Sequence, residues 1–348
     1  MGNKVLIGMS GGVDSSVAAY LLQKQGYEVT GSTMILTDTG SDDENVYNAK
    51  AVCEQLNIPF ITLDFRQTFS NKVIDYFCSE YINGRTPNPC VECNKYLKFG
   101  AFFEKAMELG FDYVATGHYA KIIKNPETNL YEMHISNAEK KDQSYFLYGH
   151  TQKTLSKTLM PLGEYNKPQI LEIASQINLK TANRPESQEI CFIHDDDYVR
   201  FITDHTNHLP IKGDFIDING NIIGKHNGII NYTIGQRKGL GAFGRPMFVM
   251  KIDSKSNKIV LGEKGMEYGH KVYAESLNFL DGNYDDRTFK CTAKNRYQAQ
   301  PVPCVVEIKD NHAIITYDEP VRAITPGQAI VFYDGNILLG GGTVYDSE

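Results

Sequence analysis

The chain has 348 residues, of which 41% are hydrophobic, and a formal net charge of −7. This length allows two or three domains with a sizeable core, and the composition is typical of a folded protein. No apolar run is long enough to span a bilayer, and the first residues are too rich in glycine for a signal peptide, so we predict a cytoplasmic protein without membrane association. The acidic balance excludes a surface coated in positive charge, although local basic patches can still bind RNA.

Short apolar runs alternate with helical patterns in the first half of the chain. The runs VLIGM, EVTGSTMIL, PFITLDF and FDYVATGHY predict four strands, and residues 14–24 predict a helix between the first two. Alternation of this kind favours right-handed crossovers and a parallel sheet with helices on both faces. Ligands bind such sheets beyond the carboxyl ends of the strands. The sequence therefore predicts an α/β domain with a ligand site at that edge.

The pattern changes near His208 to short β segments separated by turn residues. The segment GDFIDINGNIIG carries a hairpin signal at Asn219-Gly220, and the later segments lack long helices. We therefore predict three domains: residues 1–207, a small central β-rich domain at 208–275, and a C-terminal β-barrel at 276–348. A fragment that ends near residue 205 is expected to fold alone.

The segment SGGVDSS, residues 10–16, directly follows the first predicted strand. Its two glycines allow a tight turn, its serines supply hydroxyl groups, and the N–H groups at the start of the next helix suit phosphate oxygens. No lysine is present as in the GxxxxGK[ST] loop of kinases and GTPases. The alternative is a simple Gly-Gly turn before a helix with Asp14 or Ser15 as its N-cap.

Three of the seven cysteines stand out. Cys90 and Cys93 form a CxxC pair in PNPCVECN, and Cys191 lies in NRPESQEICFI. A CxxC pair can be half of a zinc site, a redox pair, part of an iron–sulfur site or the seat of a nucleophile; zinc is disfavoured because CxxC occurs once. The alternative for Cys191 is a buried apolar thiol. The four others are predicted to be core thiols: Cys53, Cys78, Cys291 and Cys304.

SGGVDSS resembles the pyrophosphate loop of the N-type ATP pyrophosphatases, which cleave ATP between the α and β phosphates. Six blocks in order resemble the bacterial tRNA-specific 2-thiouridylase family: GRTPNPCVECN, ATGHYA, KDQSYFLY, ESQEICFI, TIGQRKGLG and TPGQAIVFYDG. The resemblance implies a Rossmann-like first domain of the adenine nucleotide α-hydrolase type and a barrel that binds tRNA. It also implies replacement of oxygen by sulfur at carbon 2 of the wobble uridine, with ATP and Mg²⁺ used and AMP and diphosphate released.

The resemblance assigns residues to each partner. ATP is expected to contact Gly8, Met9, Ser10, Gly11, Gly12, Val13, Asp14, Ser15, Ser16, Met34 and Gly117. The tRNA is expected to contact Asn88, Pro89, Cys90, His118, Lys141, Asp142, Gln143, Arg296, Tyr297 and Gln328. Cys191 is expected to carry a persulfide, and Cys93 to attack it and leave a Cys93–Cys191 disulfide. A helix N-terminus beside Cys93 is expected to lower the pKa of its thiol.

Cys90 departs from the family pattern, because many members carry an aspartate there, proposed as an acid or base beside the uracil. A third thiol raises an alternative mechanism, in which Cys90, Cys93 and Cys191 hold three irons of a four-iron cluster and the fourth iron binds sulfide. Two further alternatives are another adenylating ligase of the same ATPase group and a non-catalytic RNA-binding protein with a metal knuckle. The expected partners are lysine, glutamate and glutamine tRNAs and a sulfur donor such as a cysteine desulfurase or a sulfur-relay protein.

Overall fold

The computed structural model of the chain describes residues 2–38, 40–179, 190–193 and 195–348. Residues 183–189, which begin the block around Cys191, lie outside the described part, whereas Cys191 lies within it. The strands in the first 207 residues are β1 (Lys4–Gly8), β2 (Glu28–Ile35), β3 (Phe60–Asp64), β4 (Tyr113–Ala115), β5 (Ala120–Lys124), β6 (Tyr131–Ile135) and β7 (Thr158–Leu159). The α-helices are α1 (Val13–Lys24), α2 (Gly40–Leu56), α3 (Arg66–Phe69), α4 (Asp75–Ile82), α5 (Pro89–Glu92), α6 (Phe102–Glu108), α7 (Gln152–Leu155), α8 (Lys167–Gln176) and α9 (Tyr198–Thr206).

Five of these strands form a parallel sheet in the order β3-β2-β1-β4-β7. The central strand β1 is buried on both faces, as its unbroken apolar run requires. Val5 and Ile7 share a hydrophobic cluster with α1, α2 and α8, whereas Leu6 packs with Phe102 of α6. The predicted α/β domain with a parallel sheet covered on both faces is confirmed.

A continuous helical stretch runs from Pro89 to Glu108, and its middle part, Cys93–Ala101, is π-helical. Asn88 is the N-cap, since its Oδ1 accepts a hydrogen bond from the Val91 N–H at 3.4 Å, and Pro89 suits the first helical position. A second π-helical segment, Ser70–Ile74, joins α3 to α4. Short 3-10 turns occur at Glu139–Lys141, Ser144–Leu147 and Ile229–Asn231. Of the helices in the described residues, none combines the length and apolar character needed to cross a bilayer.

The central region forms a four-stranded sheet in the order β10-β11-β8-β9. Its strands are β8 (Gly213–Ile216), β9 (Ile222–His226), β10 (Met247–Asp253) and β11 (Lys258–Glu263). β8 and β9 form the predicted hairpin, and Gly220 in its turn adopts a φ of +86°. Phe215 and Leu261 of this sheet share one hydrophobic cluster with Phe77 of α4 and Ile202 of α9. The central sheet and the first domain are therefore packed on a common core.

The last strands form a closed six-stranded antiparallel barrel in the order β12-β15-β14-β13-β16-β17, closed by pairing of β12 with β17. They are β12 (Tyr268–Phe279), β13 (Arg287–Lys294), β14 (Val302–Lys309), β15 (His312–Arg322), β16 (Ala329–Asp334) and β17 (Ile337–Ser347). The predicted C-terminal barrel is confirmed; the predicted boundary near residue 275 lies within β12. The sheet also continues into the first domain, because Leu338 of β17 pairs with Met133 of β6.

Candidate active site

The segment SGGVDSS forms a compact loop between β1 and α1. Ser10 Oγ accepts a hydrogen bond from the Gly12 N–H at 3.3 Å, and Ser15 Oγ accepts one from the Ser10 N–H at 3.2 Å. Ser16 Oγ donates to the Gly12 carbonyl at 2.8 Å. The N-cap of α1 is Gly12, not Asp14 or Ser15, so no side chain caps the helix. The serines thus shape the loop, and the N–H groups at the start of α1 are left for an anion.

The other residues expected to contact ATP lie at the same edge of the sheet. Gly117 follows β4, and a Cβ atom on it would lie 2.8 Å from the backbone nitrogen of Ser15. Met34 lies near the end of β2, with its Cε atom 3.8 Å from the position of a Cβ on Gly8. Met9 is buried and its N–H donates to the Ser32 carbonyl at 2.7 Å. The structure therefore brings together the ends of β1, β2 and β4 around the loop, where parallel sheets bind ligands.

Asp14 is held by two side chains from distant parts of the chain. The Tyr119 hydroxyl donates to Asp14 Oδ1 at 2.7 Å, and the Lys167 ammonium lies 2.9 Å from the same oxygen. Lys167 is the first residue of α8. These contacts fix the Asp14 carboxylate beside the N-terminus of α1 and place a cation next to the loop.

Cys90 and Cys93 lie at the beginning of the helical stretch that starts at Pro89. The Cys90 side chain is exposed, Cys93 is half-buried, and Cys191 is exposed. The protein around the three sulfur atoms is nevertheless dense, and burial raises the pKa of each thiol, that of Cys191 to about 12. The expectation of a lowered pKa at Cys93 was wrong, because loss of solvation outweighs the favourable helix position.

Lys98 is the cation that the three thiols share. It lies within the π-helical segment, and its charge acts on Cys90, Cys93 and Cys191 to lower the pKa of each against the effect of burial. The pKa of Cys191 is also raised by the charges of Cys93 and Cys90, so the three thiols lie in one neighbourhood despite their separation in sequence. Their arrangement does not form a metal site: in the described residues, no three His, Cys, Asp or Glu side chains group closely enough to hold a metal ion.

His118 connects the thiols to the nucleotide edge. It is buried; its Nδ1 lies 2.8 Å from Thr116 Oγ1, and its Nε2 lies 3.5 Å from the Lys98 Nζ. Burial and the Lys98 charge hold the pKa of His118 well below its usual value, so the ring is neutral at pH 7. Its chain neighbour Gly117 packs on Ser15. Contacts thus run from the phosphate loop through Gly117 and His118 to Lys98, whose charge acts on the three thiols.

In the KDQ segment, residues 141–143, the side chains of Asp142 and Gln143 form hydrogen bonds with other residues of the protein. Asp142 accepts hydrogen bonds from the Ser136 N–H at 2.8 Å and from the Ser144 hydroxyl at 2.6 Å, and burial raises the pKa of its carboxyl. Gln143 Oε1 accepts a hydrogen bond from the Tyr119 N–H at 3.0 Å. Lys141 is half-buried. These side chains order the loop beside Tyr119, and their contacts with tRNA remain predictions.

The residues expected to bind tRNA in the barrel also contact other parts of the protein. One Arg296 Nη donates to the carbonyls of Ile234 and Ala323 at 3.1 and 3.0 Å. The Tyr297 ring packs on Phe146, with the ring centroids 4.5 Å apart. The amide nitrogen of Gln328 donates to the carbonyls of residues 86 and 87, just before the cysteine pair. The barrel therefore meets the first domain at the candidate site.

The four other cysteines are not predicted to take part in the reaction. Cys53, Cys78 and Cys304 are buried, as predicted, and Cys291 is half-buried. The Sγ atoms of Cys291 and Cys304 are 3.6 Å apart across the β13–β14 pair.

The sequence alone did not distinguish Lys98, Tyr119 or Lys167. Lys98 follows the block GRTPNPCVECN and Tyr119 lies within the block ATGHYA, but neither spacing nor composition separates them from solvated or core residues. Lys167 lies 153 residues from Asp14, and its only local feature is the helix start at Asn166. Only the packing of α8 against α1 brings these two residues together.

Comparison with known proteins agrees with this architecture. Three protein-family models match in chain order: the tRNA methyl transferase HUP domain at residues 3–195, the tRNA methyl transferase PRC-barrel domain at 199–263, and the aminomethyltransferase beta-barrel domain at 269–344. The fold and the phosphate loop therefore define a nucleotide-binding HUP-domain protein with two appended β domains.

Full-length relatives give the family. The tRNA-specific 2-thiouridylase MnmA of Clostridioides difficile (strain 630) is 47% identical over 358 residues, covering 100% of this chain and 99% of that protein. The protein of the same name from Clostridium botulinum (strain Alaska E43 / Type E3) is 48% identical, covering 98% of this chain and 97% of that protein. This chain belongs to the tRNA-specific 2-thiouridylase MnmA family, and the predicted resemblance is confirmed.

One solved structure with lower similarity is the U34-tRNA thiolase NcsA from Methanococcus maripaludis with its [4Fe-4S] cluster. It is 19% identical, with a TM-score of 0.36 over 60% of this chain and 66% of that one. A likeness this low carries no weight for a cluster in the present chain.

Proposed function

We propose that this chain uses ATP to replace oxygen with sulfur at carbon 2 of the wobble uridine of tRNA. The observation that carries the proposal is the set of contacts from the phosphate loop through Gly117 and His118 to Lys98, the cation whose charge acts on the thiols. Adenylation and sulfur transfer require a phosphate cradle and reactive thiols within reach of one base. Membership of the 2-thiouridylase family supports the same reaction.

The proposed first step activates the base. The uracil oxygen attacks the α-phosphorus of ATP, the bond to the β-phosphate breaks, and diphosphate leaves. The loop at residues 10–16 and the end of β4 hold the phosphates, and Asp14 and Lys167 lie beside them. Mg²⁺ enters with ATP as the counterion of the phosphates, which the reaction requires for charge neutralisation. The adenylated oxygen then becomes part of AMP, a good leaving group.

The proposed second step transfers sulfur. The Cys93 thiolate attacks the inner sulfur of a persulfide on Cys191, so that a Cys93–Cys191 disulfide forms and hydrosulfide leaves. The hydrosulfide attacks carbon 2 and AMP departs, which gives 2-thiouridine. An external dithiol must reduce the disulfide before the next turnover. The persulfide sulfur is supplied by a donor protein of the cysteine desulfurase or sulfur-relay class.

Membership of the 2-thiouridylase family also supports proposals for the domain roles, the tRNA substrates and the location of the protein. We propose that residues 1–207 form the catalytic domain, 208–275 the central domain and 276–348 the tRNA-binding barrel. The substrates are lysine, glutamate and glutamine tRNAs in the cytoplasm. The exposed Cys90 next to Lys98 is not needed for the persulfide route. We assign no step to an iron–sulfur cluster, because the described side chains do not form a ligand group.

The test separates activation from sulfur transfer. In a single turnover with a persulfide donor supplied, Cys93→Ser and Cys191→Ser should release diphosphate in a tRNA-dependent manner but form no 2-thiouridine. Cys90→Asp, which restores the residue common in relatives, should keep substantial thiolation. Diphosphate is measured by a coupled assay and the nucleoside by mass spectrometry. If iron-free wild-type enzyme forms no product and cluster reconstitution restores it, the persulfide route is wrong.

The phosphate loop gives a second test of the same proposal. Asp14→Ala removes the carboxylate that Tyr119 and Lys167 hold and should abolish diphosphate release. The tRNA dissociation constant should change little, since the proposed RNA contacts lie elsewhere. The matched control is Asp112→Ala, which removes a carboxylate bonded to the Lys4 N–H at the opposite end of β1. Normal diphosphate release by Asp14→Ala would show that the loop assignment is incorrect.

A further inference from the structure

The barrel contacts the loop before the cysteine pair through one side-chain amide. Gln328 Nε2 donates to the Thr86 carbonyl at 2.8 Å and to the Pro87 carbonyl at 3.2 Å. These carbonyls lie 242 and 241 residues away in sequence. The Gln328 amide nitrogen therefore has two carbonyl acceptors within hydrogen-bond distance, both on this loop.

Backbone contacts strengthen the same junction. The Thr86 N–H donates to the Pro326 carbonyl at 2.9 Å, and the Thr86 hydroxyl lies 3.2 Å from that of Thr233 in the central region. Gly327 adopts a φ of +91°, and a Cβ on it would lie 3.0 Å from the Thr86 backbone. Residues from all three regions of the chain therefore converge on Thr86, and no larger residue than glycine fits at position 327 without displacing it.

The junction is only a few residues from the reactive thiols. Asn88 alone separates Pro87 from the helix that begins at Pro89 and carries Cys90 and Cys93. The rings of Pro87 and Pro89 fix φ at their positions, and Asn88 caps the helix, so this segment is stiff. A displacement of the two carbonyls is therefore transmitted to the cysteine pair.

We infer that Gln328 is a positioning residue, which fixes the loop at Thr86 and Pro87 and thereby places Cys93 for sulfur transfer. This inference rests on the proposed function for its link to sulfur transfer. It gives the barrel a role beyond RNA binding: the surface that docks the tRNA and the loop that carries the thiols are held as one unit. A contact of Gln328 with tRNA through its amide oxygen would leave both of these hydrogen bonds intact.

The experiment uses two full-length variants that separate these roles. Gln328→Met removes all hydrogen bonding, whereas Gln328→Glu keeps an oxygen acceptor for RNA but places a carboxylate against two carbonyls. The matched control is Gln298→Met, which changes an exposed glutamine of the same barrel. Each protein is alkylated with iodoacetamide without tRNA, and the rate at each cysteine is mapped by mass spectrometry. The tRNA dissociation constant and the kcat and KM for 2-thiouridine formation are measured in parallel.

Both Gln328 variants should alkylate Cys93 about fivefold faster than wild type, because they lose the hydrogen bonds to the two loop carbonyls and a net loss of about 1 kcal/mol of stabilisation gives a change of this size. The kcat should fall while the tRNA dissociation constant and KM stay within about twofold, and Gln298→Met should match wild type in every measurement. The buried thiols of Cys53 and Cys78 are internal controls and should keep their wild-type rates.

Three results would overturn the inference. Wild-type kcat and Cys93 alkylation in Gln328→Glu, with weakened tRNA binding in Gln328→Met, would assign Gln328 to an RNA contact through its oxygen. Faster alkylation of Cys53 and Cys78 in step with Cys93 would indicate general destabilisation. Unchanged Cys93 alkylation in both variants would show that the loop does not depend on the amide. If wild-type enzyme forms no 2-thiouridine, the proposed function fails, while the alkylation pattern still decides whether Gln328 holds the loop.

Discussion

At the scale of single residues, burial and the charge of Lys98 act in opposite directions on the pKa values of the thiols at the candidate site. Burial raises the pKa of Cys93, and the nearby ammonium of Lys98 lowers it in part. The same ammonium helps keep His118 neutral, because it lowers the pKa of the ring. A thiol must lose its proton before it attacks a persulfide. Lys98 therefore favours the reactive thiolate without forming a bond to it.

Lys98→Met should slow alkylation of Cys93 severalfold, because loss of the ammonium raises the pKa of the thiol and leaves less thiolate at neutral pH. The raised pKa keeps the wild-type thiol protonated at pH 7. As the pH is increased from 7 toward that pKa, the alkylation rate of wild type should therefore rise about tenfold per pH unit. Iodoacetamide alkylation mapped by mass spectrometry measures both effects.

The control for this variant is Lys95→Met. Lys95 lies in the same π-helical segment, but its Nζ is over the Tyr96 ring, 5.1 Å from the ring centroid, and it is not among the charges that act on Cys93. It should keep the wild-type rate. Equal or faster alkylation in Lys98→Met would contradict the role assigned to this cation.

The phosphate loop, at the scale of elements, depends on the packing of two helices. Gly11 adopts a φ of +71°, and a Cβ on it would lie 2.7 Å from the Cβ of Asn48 in α2. The loop is thus shaped by its own sequence and also confined by a helix that follows the next strand. The sequence predicted the turn at the two glycines. The contact of the loop with α2 was seen only in the folded structure.

Gly11→Ala should lower the free energy of unfolding by more than the ~1–2 kcal/mol expected for a left-handed alanine alone, because the new methyl group also meets α2. It should also abolish the stabilisation of the protein by ATP. Thermal unfolding with and without ATP measures both effects.

Gly26→Ala is the matched control for this prediction. Gly26 has a φ of +89° with nothing within 4 Å of its Cβ position. An alanine at this position is therefore strained in its backbone but meets no neighbouring atom. It should keep its response to ATP. An equal loss of stability in the two variants would show that α2 does not confine the loop.

The three regions are interlocked at the scale of the whole molecule. One hydrophobic cluster contains Phe77 of the first domain and Phe215 of the central sheet, and another contains Tyr145 and Val331 of the barrel. The β5–β6 hairpin extends the barrel sheet. The three regions therefore share hydrophobic cores and are not separate modules on a linker.

The structure revises the expectation that a fragment ending near residue 205 folds alone. That truncation removes one side of both clusters and the strand that pairs with β6, so apolar surface is exposed. The fragment should bind a hydrophobic dye and unfold without a cooperative transition, as measured by near-ultraviolet circular dichroism and thermal melting. A cooperative transition with native-like near-ultraviolet signal would restore the original expectation.

The sequence by itself determined the local and periodic features of this protein. The apolar run of β1, the glycines of the phosphate loop and the alternation of strands with helices all express backbone preferences and burial patterns within short windows. The turn residues between β segments likewise predicted the barrel. The six ordered blocks identified the family, and the roles proposed for Cys93 and Cys191 rest on that resemblance.

Only the tertiary structure decided which distant groups meet. It placed Lys167 on Asp14 and Gln328 on the loop before Cys90, and it joined β17 to β6. It also reversed the expected direction of the pKa of Cys93. The physical reason is that dihedral preference and periodicity are properties of neighbouring residues, whereas burial and charge proximity depend on how the whole chain packs.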